Sequence, residues 1–293
     1  MSEYHTPVLL KESVSALAIQ PGGVYVDATF GGGGHSRAIL EQLSAKGRLI
    51  AIDQDSDALA NAPQDKRLIP VRSNFRFVHN WIRYHGFEAV DGILADLGVS
   101  SHQFDTEERG FSFRFDSELD MRMSDAAAKS AKEVVNSYSE ESLAKILGEY
   151  GEVANSRFAA KLICEARSAR PIMTTAELNA ALDKATPAFG QHKYLAKVYQ
   201  ALRIEVNDEM TALERFMPMA VKSLAEGGIL AVITYHSLED RIVKNAIRDA
   251  ISDGYLEKVT SKPILPAESE IEGNTRARSA KLRVAKRTAM GYR

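Results

Sequence analysis

The chemistry-bearing residues of this sequence are a run of glycines and three acids placed at the ends of apolar segments. Val24-Tyr25-Val26-Asp27 reads as a short buried strand that ends in a carboxylate. Ala28-Thr29-Phe30-Gly31-Gly32-Gly33-Gly34-His35-Ser36 follows as a four-glycine turn running into a helix. Glycine in such a turn permits a left-handed backbone and leaves no Cβ in a ligand's way. A helix that starts there aims its free N–H groups at the ligand. Arg48-Leu49-Ile50-Ala51-Ile52-Asp53 is a second apolar strand with an acidic end, and Asp53 comes 22 residues after Gly31. That spacing suits a carboxylate gripping a ribose diol. Ala89-Val90-Asp91-Gly92-Ile93-Leu94-Ala95-Asp96 ends the same way. One such acid is easily a helix cap. Three at strand ends of an α/β pattern point to a single crevice along the carboxyl edge of a parallel sheet.

Two nucleoside cofactors compete for this pattern. A dinucleotide fingerprint counted from Gly31 requires glycine at position 36, where Ser36 stands. Asp27, just ahead of the turn, would repel a pyrophosphate but could pair with an ammonium group. S-adenosylmethionine (SAM) carries an ammonium, a ribose diol and no phosphate, so the residues favour it over NAD. A nicotinamide dehydrogenase is therefore one rival reading. An RNA-associated binding module with a vestigial cofactor pocket is the other.

The elements that must position these residues follow in chain order. A short amphipathic helix over Ser13–Ala18 closes at Pro21-Gly22-Gly23, and Asp55 caps the helix after the second strand. Leu68-Ile69-Pro70-Val71-Arg72-Ser73 is a weaker strand whose Pro70 places it towards an edge. Phe75, just beyond it, is a candidate contact for an adenine. After Asp96-Leu97-Gly98-Val99-Ser100-Ser101 the period turns helical, with helices expected over Glu141–Tyr150, Val153–Ala169 and Thr175–Ala185. About 100 helical residues inside a sheet protein imply an inserted domain. We expect a core of residues 1–104 and 200–293, and a helical substrate-recognition insert of residues 105–199. The core resumes with a long helix from about Val198 to Ala225. The strand Ile229–Tyr235 then runs into His236-Ser237-Leu238-Glu239-Asp240-Arg241, where another helix starts.

Composition sets the outer bounds. With 293 residues, 45% of them apolar, the chain can bury a full core. The single Cys164 excludes an internal disulfide and a multi-cysteine zinc site and fits a reducing compartment. No metal-ligand cluster shows in the sequence. There is neither an apolar run of about 18 residues nor a signal peptide, so a cytoplasmic protein without a membrane partner is expected. Net charge is −2, but residues 273–293 hold seven Lys/Arg and no acid. A basic end on an acidic body points to a localised polyanion contact. Alternation in Ala280-Lys281-Leu282-Arg283-Val284-Ala285 makes part of that end a strand.

Eight stretches, spread in order over the whole chain, resemble the bacterial 16S rRNA cytosine-N4 methyltransferases of the RsmH or MraW type, which modify cytidine 1402 of the decoding centre. They are His5-Thr6-Pro7-Val8-Leu9-Leu10-Lys11-Glu12, Asp27 to Ser36, Asp96 to Ser101 and Arg109-Gly110-Phe111-Ser112-Phe113-Arg114. Leu119-Asp120-Met121-Arg122-Met123, Gln200-Ala201-Leu202-Arg203-Ile204-Glu205-Val206-Asn207, His236 to Arg241 and Arg276-Ala277-Arg278-Ser279-Ala280-Lys281-Leu282-Arg283 complete the set. The resemblance implies a Rossmann-like SAM-dependent core with a doubly wound, mostly parallel sheet and an all-helical insert. It also implies SAM contacts at Gly33, Gly34, His35, Asp53, Phe75, Asp96 and Gln103. The partner it implies is 16S rRNA in the small ribosomal subunit, met by a monomer or homodimer. Where the family usually shows His-Pro-Ala-Thr-Arg, this chain reads Lys193-Tyr194-Leu195-Ala196-Lys197, a departure that bears on RNA contacts of the insert.

The implied reaction moves a methyl group to the exocyclic N4 of a cytidine. Many amino methyltransferases place a Pro-Pro-aromatic motif after the fourth strand. Here Leu97-Gly98-Val99 stands there, so a stacking aromatic must come from elsewhere, with Phe111, Phe113 and Tyr235 as candidates. Asp96, His236 and Ser237 are the candidate polar contacts to N4. The target base must be extruded from folded RNA. Arg109, Arg114, Arg122, Arg276, Arg278, Lys281 and Arg283 could hold the flanking phosphates.

Overall fold

The computed structural model describes residues 7–98, 109–124 and 127–291. The chain divides into two compact units, one of residues 1–100 and 210–293 and one of residues 101–209.

The first unit is built on seven strands: β1 (Val24–Asp27), β2 (Arg48–Asp53), β3 (Leu68–Arg72), β4 (Val90–Asp96), β5 (Leu224–Thr234), β6 (Leu256–Lys258) and β7 (Lys281–Arg287). Their order across the sheet is β3-β2-β1-β4-β5-β7-β6. β1 to β5 are parallel, while β7 lies antiparallel between β5 and β6. The α/β, Rossmann-like architecture expected from the strand pattern is therefore present, and Pro70 does sit on the edge strand.

Side-chain alternation sends successive residues to opposite faces of the sheet. Leu49 and Ala51 of β2, with Ile229, Ala231 and Ile233 of β5, pack under α1 (Leu10–Ala16) and α2 (Gly34–Gln42). A short α3 (Ser56–Ala60) is capped by Asp55, which accepts from the Asp57 amide. Ile50, Ile52, Leu230 and Val232 face the other way, against α4 (Val78–Tyr84) and two later helices described below. A parallel strand buried on both faces needs a near-continuous apolar run, which is why β2 and β5 were so plain in the sequence.

The second unit holds α5 (Ala131–Ser137), α6 (Glu140–Glu149), α7 (Ser156–Ala169), α8 (Thr175–Ala181) and α9 (Gln191–Asn207). Ser130 with Glu133, and Thr174 with Glu177, form capping boxes that satisfy the first amides of α5 and α8. The single long helix expected from Val198 onward is in fact two. Asp208 takes a left-handed conformation (φ 50°) and separates α9 from α10 (Glu209–Ser223). Apolar periodicity continues on both sides of the break, so the pattern carries no trace of it. α11 (Ser237–Ser252) and α12 (Glu268–Gly273) follow, and α10 and α11 cover the second face of the sheet.

Candidate active site

The strand order makes β2, β1 and β4 neighbours, so their terminal acids Asp53, Asp27 and Asp96 share one carboxyl edge. Each acid is held by groups that the fold brings to it. Asp53 Oδ2 accepts from the Gly31 amide at 2.7 Å and Oδ1 from the Asp55 amide at 2.9 Å. Burial pushes its carboxyl up to about 6, against the downward pull of those two amides. Asp27 is 1% exposed. It accepts from the Ser36 hydroxyl at 2.7 Å and from the Thr29 amide at 3.2 Å. Burial raises its proton affinity, with His35, Ser36 and Thr29 opposing.

Asp96 is the most elaborately placed of the three. Its amide donates to Thr29 Oγ1 at 2.6 Å, and its Oδ1 accepts from the Tyr235 hydroxyl at 2.8 Å. Its Oδ2 lies 3.9 Å from His35 Nδ1. Burial again raises the carboxyl, with His35 and Tyr235 pulling the other way. Tyr235, pushed far up by burial and by Asp96, stays a donor. Its ring lies against Gly98, where a Cβ would stand 2.7 Å from ring carbon Cε2. Tyr235, a stacking candidate in the sequence, thus spends its hydroxyl on Asp96 and its face on Gly98.

The glycine turn works differently from the expectation. Gly31 (φ 51°) and Gly33 (φ 73°) do use the left-handed region. The space freed at Gly33 is filled by the Phe30 ring, and that at Gly34 by Pro7, whose Cγ would lie 2.1 Å from an added Cβ. These two glycines admit the chain's own side chains. His35 is buried, and its Nε2 lies 3.2 Å from the Val8 carbonyl.

Phe75 stands just past β3, half-buried, with its ring edge-on to Phe216 at 5.2 Å. His236 caps α11. Its Nδ1 accepts from the Glu239 amide, while Glu239, itself buried, takes the Tyr235 and His236 amides on Oε2. Nε2 of His236 is 3.0 Å from Glu239 Oε1 but off the direction of a hydrogen bond. Ser237 is exposed at the first turn of that helix. Gln103 lies outside the described residues, as do His5, Thr6 and Val99–Ser101 of the quoted motifs.

The cations expected at RNA are differently placed. In the first unit, Asp240 takes Arg283 on both oxygens (2.7 and 3.1 Å) and Lys281 at 3.3 Å. Arg276 is half-buried and Arg278 exposed. In the second unit, Arg122 is bidentate on Asp120 (2.9 and 2.7 Å). Arg109 donates to the Arg122 carbonyl at 3.0 Å and lies over the Phe111 ring. Arg114 is exposed. Phe111 is buried, and Phe113 packs between the rings of His192 and Tyr199.

Several motif residues are fasteners whose role the sequence does not reveal. Asn207 donates to the Met121 carbonyl (2.9 Å) and accepts from the Met123 amide (2.8 Å), clamping a turn in which buried Met121 is left-handed (φ 62°). Gln200 donates to the Tyr150 carbonyl, and Arg203 pairs with Glu209 through two bonds of 2.7 and 2.9 Å. In the departing stretch, Tyr194 and Leu195 are buried, and Lys197 donates to the Glu152 carbonyl at 2.9 Å.

A row of three strand-end carboxylates, when ionised, repels phosphate and favours a cation. The donor set fits a ligand with a diol and positive charge. The model of the MraW methylase family matches residues 2–288 of the chain. A ribosomal RNA small subunit methyltransferase H of Flavobacterium johnsoniae is 52% identical over 296 residues, covering 97% of this chain and 98% of its own. The protein of the same description from Bacteroides fragilis is 53% identical over 299 residues, covering 97% of each chain. One from Parabacteroides distasonis is 48% identical over 297 residues, again covering 97% of each.

Proposed function

This chain belongs to the MraW methylase family, and from that premise we propose that it methylates the exocyclic N4 of a cytidine in the decoding centre of 16S rRNA, at the position of cytidine 1402, using SAM. The observation that carries this reading is the row of Asp53, Asp27 and Asp96 on three adjacent parallel strands, beside a glycine turn that feeds a helix.

When bound, SAM supplies a methyl group already activated as a sulfonium. The chain's own residues orient and exclude. Asp53 has lone pairs left on both oxygens after accepting the Gly31 and Asp55 amides, enough to take a ribose diol. Asp27 supplies negative charge near a cationic ligand, and Gly33, Gly34, His35, Phe75 and Gln103 complete the cofactor contacts in this reading. Asp96 accepts a hydrogen of N4. That bond draws the nitrogen lone pair out of conjugation with the ring, and the same carboxylate takes the proton released as N4 gains its methyl. Burial raises Asp96 above the ordinary carboxylate range, which suits a proton acceptor. His236 acts at one remove: by capping α11 it fixes the strand end that carries Tyr235, and Tyr235 in turn holds Asp96. Much of the remaining acceleration comes from in-line placement of nitrogen and methyl. The helical unit, with Arg109, Arg114 and Arg122, and the basic residues Arg276, Arg278, Lys281 and Arg283 bind the RNA.

The test is transfer of a labelled methyl from SAM to small ribosomal subunits that lack the modification, followed by nucleoside analysis. N4-methylcytidine is the expected product, reduced at least about 100-fold in rate by Asp96→Asn. Transfer to another atom, or none with SAM bound, would remove the assignment.

A further inference from the structure

The acidic run ahead of β7 has no part in the reaction just described, yet one of its residues reaches the cofactor turn. Glu270, on α12, accepts the Leu9 amide on Oε1 at 2.7 Å, across 261 positions of sequence. Leu9 is fully buried and left-handed (φ 52°), the residue from which α1 departs. An L residue adopts that conformation only when its surroundings hold it there. The Glu270 carboxylate is one such hold, since the buried Leu9 amide has no other acceptor among the described residues.

The two residues before Leu9 lie on the glycine turn. The Pro7 ring occupies the space beside Gly34, and the Val8 carbonyl faces His35 Nε2 at 3.2 Å. A carbonyl only accepts, so Nε2 carries hydrogen there, and Nδ1 is the nitrogen turned towards Asp96 Oδ2. The position of residues 7–9 therefore decides how the imidazole stands against Asp96 and how the first turn of α2 is packed.

We infer that Glu270 is a positioning residue of the cofactor site: by holding the Leu9 amide it seats Pro7 on Gly34 and the Val8 carbonyl on His35. The inference rests on the reading that this crevice takes SAM. It makes the remote acidic loop part of the binding site without a contact to the ligand.

The experiment compares wild type, Glu270→Ala, Glu270→Gln and Pro7→Gly in SAM titration calorimetry, steady-state methyl transfer and amide hydrogen exchange. Removing a hydrogen bond to a charged acceptor at a buried amide should weaken SAM binding about tenfold in Glu270→Ala. Glutamine keeps an acceptor oxygen, so Glu270→Gln should stay within about threefold of wild type. The loss should appear in KM for SAM rather than in kcat, and exchange at Leu9, Gly34 and His35 should speed up together. Pro7→Gly, which leaves Glu270 in place, should weaken SAM binding in the same direction. Unchanged SAM affinity in Glu270→Ala overturns the inference. So does Glu270→Gln as weak as Glu270→Ala, because charge and not the Leu9 bond would then be responsible. Wild type that binds no SAM would sink the cofactor reading instead. Exchange would then decide the coupling alone: faster exchange at Gly34 and His35 in Glu270→Ala supports it, and unchanged exchange overturns it.

Discussion

Cofactor binding to this crevice should be linked to a proton through Asp53. Burial pushes the Asp53 carboxyl up to about 6, although two backbone amides favour its ionised form. A carboxylate that grips a diol beside a cationic ligand works ionised. With that value, about one molecule in ten is ionised at pH 5 and about nine in ten at pH 7. The Kd for SAM should therefore weaken about tenfold between pH 7 and pH 5, and binding near pH 5 should release close to one proton. The effect on the free protein has the opposite sign. A folded value above the unfolded one of about 3.9 gives stability that is fully present below pH 4 and lost as pH rises through about 6, on the order of 3 kcal/mol. Calorimetric titration at pH 5, 6 and 7, in paired buffers of different ionisation enthalpy, measures both affinity and proton release. Asp53→Asn should bind weakly with a much flatter profile, which separates Asp53 from Asp27 and Asp96, whose proton affinities are raised as well. A wild-type Kd that is flat across this range, with no proton released, would refute the reasoning.

Other perturbations test the geometry more locally. Gly34→Ala should destabilise by about 1–3 kcal/mol, because its Cβ meets Pro7; helix propensity alone predicts a gain, so the sign of the Tm change decides. Asn207→Ala removes the clamp on Met121 and Met123 and should cost about 2–3 kcal/mol in urea unfolding. A loss too small to measure would show that the turn holds without the clamp. Asp240→Asn releases Arg283 and Lys281, so the logarithmic salt dependence of RNA binding should steepen by about one to two. An unchanged slope would remove both residues from the RNA contact.

What the sequence disclosed and what it concealed divide along physical lines. The strands were legible because parallel strands buried on both faces must be continuously apolar, and the acids at their ends interrupt that run where solvent and ligand begin. The order β2-β1-β4, which turns three separate acids into one row, follows from the same topology. Contacts between remote backbone groups left no such mark. The break at Asp208 is a single left-handed residue within continuous helical periodicity. Pro7 on Gly34 joins two motifs that each read as cofactor chemistry, and only the fold shows one packed into the other. The pairing of Lys281 and Arg283 with Asp240 crosses about 40 residues, beyond what counting charge in the basic end can reveal. His236, one of the residues read as a candidate polar contact to N4, sits at a helix start, where its Nδ1 accepts from the Glu239 amide and its own amide donates to Glu239 Oε2.

The placement of β7 has a consequence for synthesis. It is the last strand in the chain, yet it is hydrogen-bonded between β5 and β6 and not at the rim. Until Lys281–Arg287 has left the ribosome, β5 exposes an unpaired edge over the six positions Ile229–Thr234, and β6 has no other strand beside it among the described residues. Open edges of that kind recruit other chains. A nascent chain stalled or cleaved before Lys281 would therefore be a target for chaperones and proteases, and the helical unit, continuous from residue 101 to 209, can finish folding well before the sheet closes.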